Sequence, residues 1–181
     1  MKSTKQFDNQ NVYEHGISVN NHYNDLLKYL NGQSIDNWKI PKWIDQYKTK
    51  ILNDLMDYEV VKEYQIFHDV SKPYVLHIDS NGKRHFPNHA EESYEIWSQV
   101  GNKDSANLIK MDMDIHLLKQ ESLEEFASRQ EAITLLITGL CEIHANARCF
   151  PEDISSTWFK IKYKHIDKFG KRICDKIYID L

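Results

Sequence analysis

Apolar positions along the chain fall mostly at helical spacing. His15, Val19, His22, Leu26 and Leu30 form a stripe that begins near Asn11 and closes at Asn31-Gly32, so a first helix is expected there with two histidines on its inward face. A second helix is expected after Pro41, and a third from about Ile51 through Leu55, Met56 and Val60 to Phe67, ending at His68-Asp69. Between 74 and 86 the pattern changes: Tyr74, Val75, Leu76 and Ile78 favour strands, and Ser80-Asn81-Gly82 is a turn signal, which predicts a short hairpin. Helical spacing resumes after Pro87 with His89, Glu92 and Ile96, runs again from Ala106 to Leu118, and is strongest from about Leu123 to Ala147. That last stretch, centred on AITLLITGLCEI, is apolar on more than one face and predicts the central buried helix. From Trp158 onward Phe159, Ile161 and Tyr163 alternate with lysines, a strand-like period, while Lys168-Phe169-Gly170-Lys171 fits a break between two helices, so the local pattern leaves this segment open.

The expectation is therefore a mainly helical, all-α bundle with a small hairpin, in a single domain over residues 1–181 with a basic C-terminal segment, 158–181. Charge refines it. The chain has 23 Lys and Arg against 27 Asp and Glu, a net charge of −4, and only 4 of the cations are Arg. No global basic field exists to hold long nucleic acid, yet the segment from Trp158 carries seven cations against three anions. Cys141, Cys149 and Cys174 form no CxxC pair and leave an odd thiol, which suits reduced cysteines in a cytoplasmic protein. The N-terminus has no signal-peptide core and no run is long enough for a membrane span, so no membrane partner is expected.

The chemistry lies in the order of the metal-capable residues: His15 on the first helix, His68-Asp69 at the end of another, His89 after the hairpin, then Asp112, Asp114 and His116. Imidazole with carboxylate suits a divalent ion such as Mn, Fe, Co, Ni, Zn or Mg. Residues 64–97, YQIFHDVSKPYVLHIDSNGKRHFPNHAEESYEIW, with their HDxxKP, hairpin and xxHxxxS elements, resemble the HD-domain superfamily of metal-dependent phosphohydrolases. Within it the window is most similar to the HD region attached to tRNA nucleotidyltransferases and poly(A) polymerases. The resemblance implies an HD-type helical fold and places His15, His68, Asp69 and Asp114 as metal ligands. It also implies roles for Asp69, Lys72 and His89 in catalysis, the last two contacting the substrate phosphate. Relatives often carry His where Asp112 stands, and periodicity alone does not choose between Asp112 and Asp114; family position favours Asp114. Asp112 and His116, four apart, share one flank and suit a second metal or a substrate contact. Nothing upstream resembles a nucleotidyltransferase head.

The implied activity is hydrolysis of a phosphoester or phosphoanhydride in a nucleotide or related small phosphorylated metabolite. A 2',3'-cyclic phosphodiesterase or phosphatase acting on nucleotides or RNA ends is the alternative within chemistry, and a nucleotide- or partner-binding HD module the alternative outside it. The acidic body favours a small substrate over long RNA, and the family implies a homodimer. Lys160 and Lys162 are further phosphate candidates beside Ser155-Ser156-Thr157. His22, His77 and His85 read as structural, and Trp38, Trp43, Trp97 and Trp158 as core or interface aromatics. Glu142 and His144 interrupt the most apolar helix, so they line the inner end of a pocket or form a hydrogen-bonded core pair.

Overall fold

The structure is a computed structural model; it describes residues 1–7 and 9–179 and is mostly helical. A small antiparallel ribbon, β1 (Lys5–Phe7) with β2 (Gln10–Asn11), leads into α1 (Val12–Leu30). Asn11 starts this helix because its side chain accepts from Glu14 N while the Glu14 carboxylate accepts from Asn11 N, a reciprocal cap. Helix α2 (Lys42–Asp54) follows Pro41. The run expected from Ile51 to Phe67 is instead two pieces: Ile51 is the buried last turn of α2, the chain extends at Leu55, and Asp57 caps a new helix, α3 (Tyr58–Phe67), by accepting from Glu59 N and Val60 N.

The hairpin falls where it is expected but is shorter than expected. Lys72–Val75 is a single helical turn, α4, and only His77–Ile78 (β3) and Arg84–His85 (β4) pair. Helix α5 (His89–Trp97) leaves from Asn88, whose left-handed φ of 53° turns the chain sharply. The single helix expected from Ala106 to Leu118 is divided into α6 (Lys103–Lys110) and α7 (Asp114–Leu117) by a turn at 111–113. The helix expected from Leu123 to Ala147 is likewise α8 (Leu123–Ala127) and α9 (Ala132–Ala147). The open C-terminal segment is one long helix, α10 (Thr157–Tyr178), capped by Ser156. Its strand-like alternation has no structural counterpart: Phe159 and Tyr163 are buried one turn apart while Ile161 faces outward.

Helix α9 is the axis of the core, with every residue from Ala132 to Cys141 buried. α1, α10, α7 and α2 pack on it, α3 packs on α1, and α6 links α3 to α5. Leu26, Ile44, Ile51, Leu108, Leu135, Leu136, Leu140 and Phe159 are wholly enclosed and belong to one continuous apolar cluster. Two close approaches set the spacing around the site. A Cβ at Gly16 would lie 2.3 Å from Ile66 O, so α1 meets the α3 backbone directly. A Cβ at Gly139 would lie 2.8 Å from the Ile115 side chain, so α7 settles onto α9.

Candidate metal centre

The Gly16 approach carries His15, the preceding residue on α1, against His68 at the C-terminus of α3, their ring centroids 5.3 Å apart. From the opposite side α9 presents Glu142. Ligand atoms of His15, His68 and Glu142 all lie within 4.8 Å of one another, from three helices. His68 Nδ1 donates to Gln65 O at 2.8 Å, since a carbonyl only accepts, which directs Nε2 into the cluster. Gln65 is itself fixed: its amide oxygen accepts from Asn20 Nδ2 at 2.9 Å and its amide nitrogen donates to Thr138 Oγ1 at 3.0 Å. This buried chain ties α1, α3 and α9 together near His15, His68 and Glu142.

Asp69 lies alongside. Its Oδ2 is 3.2 Å from His68 Nε2 and 2.6 Å from Lys72 Nζ, and its Oδ1 is 3.7 Å from His89 Nε2. Lys72 is buried, donates also to Gln6 Oε1 at 3.0 Å and sits over the Phe86 ring, so the N-terminal ribbon and the hairpin both close on it. His89, partly open to solvent, donates Nδ1–H to Phe86 O at 3.0 Å. Its backbone is held as well: Ser71 Oγ donates to His89 O, and Ser93 Oγ donates to Ser71 Oγ.

Electrostatics follow from this packing. Burial, reinforced by the neighbouring His68, pushes His15 down to about 4, so its imidazole is neutral. Burial also lowers His68, but Asp69, Asp112 and Glu142 outweigh it and raise it to about 10; a proton on His68 balances the carboxylates. Burial raises Glu142, yet the His116 imidazole at 2.6 Å, with His68 and His15 behind it, holds this carboxyl far below its usual range. For His116 burial acts downward and Glu142 upward, and Glu142 prevails. Asp69 resists the upward push of burial through His68 and Lys72 and stays well below the ordinary carboxylate value. Asp112 is the exception: burial raises it despite His68, and it accepts from Tyr64 OH at 2.6 Å.

The structure therefore brings together most of the residues singled out by sequence, but not Asp114 or Lys160. Asp114 does not join His15, His68 and Asp69. It lies 41% exposed at the start of α7, paired with Arg129 Nη1 at 2.5 Å, because the turn at 111–113 sends it outward and Asp112 inward. The carboxylate that meets both histidines is Glu142, and its sequence signal was a charged residue inside the most apolar helix. His116 pairs with Glu142 and lies close enough to Asp112 for its charge to hold Asp112 down, while Asp112 accepts from Tyr64 OH. Lys162 lies close enough to lower the His116 pKa, whereas Lys160 faces solvent. His144 is part of no pair with Glu142: its Nδ1 bonds Leu140 O, its Nε2 accepts from Lys39 N, and its ring stacks on Trp38 at 4.0 Å.

Both ring nitrogens of His15, His68 Nε2 and Asp69 Oδ1 are buried without a hydrogen-bond partner. Buried polar atoms are normally satisfied, so four orphans in one cluster of nitrogen and oxygen donors fit a divalent ion. Compared with known proteins, the chain matches no family model, no curated protein and no solved structure.

Proposed function

We propose that this chain is a metal-dependent phosphohydrolase of HD type, acting on a nucleotide or related small phosphorylated metabolite in the cytoplasm. The observation that carries the reading is the convergence of His15, His68 and Glu142, with both ring nitrogens of His15 unpartnered, beside a carboxylate already bonded to a buried ammonium. His15, His68 and Glu142 would hold the ion, with Asp69 adjoining. A divalent cation supplies Lewis acidity, withdrawing charge from a phosphoryl oxygen and bringing the pKa of water from 15.7 down toward about 7.

The protein's own groups supply the rest. Lys72, fixed by Asp69 and Gln6, offers a cation to a phosphate oxygen without reorganising. His89 stands where the cluster opens to solvent, and the carbonyl of Phe86 fixes its Nδ1–H, so Nε2 is the atom that exchanges a proton with the leaving oxygen. Asp69 faces His68, Lys72 and His89 at once and orients all three. The low Arg content and acidic body favour a small substrate.

The test is elemental analysis of the purified protein beside Asp69→Ala and His68→Ala, followed by phosphate release from nucleotides and cyclic nucleotides with Mn, Co, Ni or Mg. Near-stoichiometric metal in the wild type, and a loss of about 10²- to 10³-fold in rate in the folded variants, is the expected result. Wild-type protein that takes up no ion and stays inert with each of them would end the hydrolase reading and leave a binding module.

A further inference from the structure

The basic C-terminal segment is not used by the histidine cluster except through Lys162. Three of its seven cations, Lys168, Lys171 and Arg172, meet α2 on another face, around a cavity of about 740 Å3. Five cations border it, Lys39, Lys42, Lys168, Lys171 and Arg172, against the single carboxylate of Asp167. Lys171 is taken by Asp175 at 2.5 Å, and Arg172 donates to the neutral Gln120. Among the described residues, Lys39, Lys42, Lys168 and Arg172 have no carboxylate partner. In a chain whose net charge is −4, this is a local excess of positive charge placed around a concavity.

The walls add a second kind of chemistry. Tyr163, Ile40 and Trp43 give an apolar side, with Lys39 Nζ 4.2 Å from the Tyr163 ring centroid. Trp43 is 2% exposed and its indole N–H has no acceptor. Gly170 makes this meeting of helices close: a Cβ there would lie 2.5 Å from Trp43 Cζ2. Cations gathered around a concavity suit a phosphate, and an apolar wall suits the base of a nucleotide. The volume is within the range of about 300–1,000 Å3 typical of small-ligand sites.

We propose that the α2–α10 cavity is a second ligand site, separate from the histidine cluster, for a nucleoside polyphosphate. The phosphates lie against Lys42, Lys168 and Arg172, and the base side lies toward Tyr163 and Ile40. None of the residues lining it belongs to the candidate metal centre, so the assignment does not depend on the hydrolase reading. A small ligand is favoured over a nucleic-acid strand because the cations ring one cavity, while residues 1–157 are acidic overall.

The experiment is calorimetric titration of the full chain, freed of metal to prevent turnover, with ATP, inorganic tripolyphosphate and adenosine. One ATP per chain is expected to bind, more tightly than tripolyphosphate and far more tightly than adenosine, with affinity falling as salt rises. The double variant Lys42→Glu/Lys168→Glu, changed at two exposed positions, is expected to lose about tenfold or more in ATP affinity, while His68→Ala binds as wild type. Absence of saturable binding, or equal affinity in the double variant, would overturn the site. Loss in His68→Ala would move the ligand to the histidine cluster. Tripolyphosphate as tight as ATP would discard the aromatic wall, and displacement of ATP by lower concentrations of a short single-stranded RNA would replace the small ligand with a nucleic-acid track.

Discussion

Glu142 holds one carboxylate oxygen 2.6 Å from His116 Nε2 and faces His15 and His68 from the most buried helix. Glu142→Gln keeps the shape and removes the charge, so divalent-ion affinity is expected to fall by about 10- to 100-fold, whereas Asp114→Asn leaves it unchanged. Metal titration of the two variants decides between these carboxylates. The opposite face of the same helix makes a pH prediction. Burial depresses His144 from the usual 6.5 to about 3, so between these values the unfolded chain binds a proton that the native state refuses. Stability contributed by neutral His144 is whole above pH 6.5 and is lost as pH falls toward 3, at a cost of about 3 kcal/mol by pH 4. Denaturant unfolding from pH 7 to 4 should show this slope, and His144→Phe should flatten it.

At the scale of elements, the site depends on how closely helices approach. Gly16 permits α1 to touch the backbone of α3, and Gly139 permits α7 to rest on α9. Gly16→Ala places a methyl group 2.3 Å from a carbonyl oxygen that belongs to a helix, so the helices must separate. A loss of about 1–3 kcal/mol is expected, together with weaker metal binding because His15 moves with its helix. Gly139→Ala crowds the Ile115 side chain, which can shift, and meets His116 Cε1 at an ordinary 3.6 Å, so it should cost less. Chemical denaturation of both variants, read beside their metal content, tests the ranking. Breaks between helices matter as much as contacts. The turn at 111–113 reverses the roles of Asp112 and Asp114, and no helical periodicity extends across it.

For the whole molecule, the cluster concentrates buried charge: His68, Asp69, Lys72 and Asp112 are all enclosed. Without an ion, the proton on His68 and the Lys72 ammonium compensate the carboxylates. An ion that binds only the native state adds stability by mass action, about 2.7 kcal/mol at a concentration 100 times Kd. A rise in Tm of several degrees on adding Mn to metal-free protein is the expected outcome, reversed by chelator and absent from His15→Ala. A wild-type Tm indifferent to every divalent ion would count against the metal centre.

What the chain itself determined is local. The stripe from His15 to Leu30 that starts near Asn11, the turn at 80–82 and the apolar run of α9 are written in neighbouring residues, because capping, turn formation and amphipathic burial act over a few positions. The grouping of His15, His68-Asp69, Lys72 and His89 came instead from the resemblance carried by residues 64–97, with the order of metal-capable residues along the chain beside it. Only the tertiary structure decided which acid meets the two histidines. Glu142 reaches His15 across 127 positions of chain by way of α9, and Asp114 is lost to Arg129, because helix packing and the turn at 111–113 set direction where spacing along the sequence does not. The α2–α10 cavity is of the same kind: its cations come from two segments more than a hundred residues apart, joined by the contact of Trp43 with Gly170.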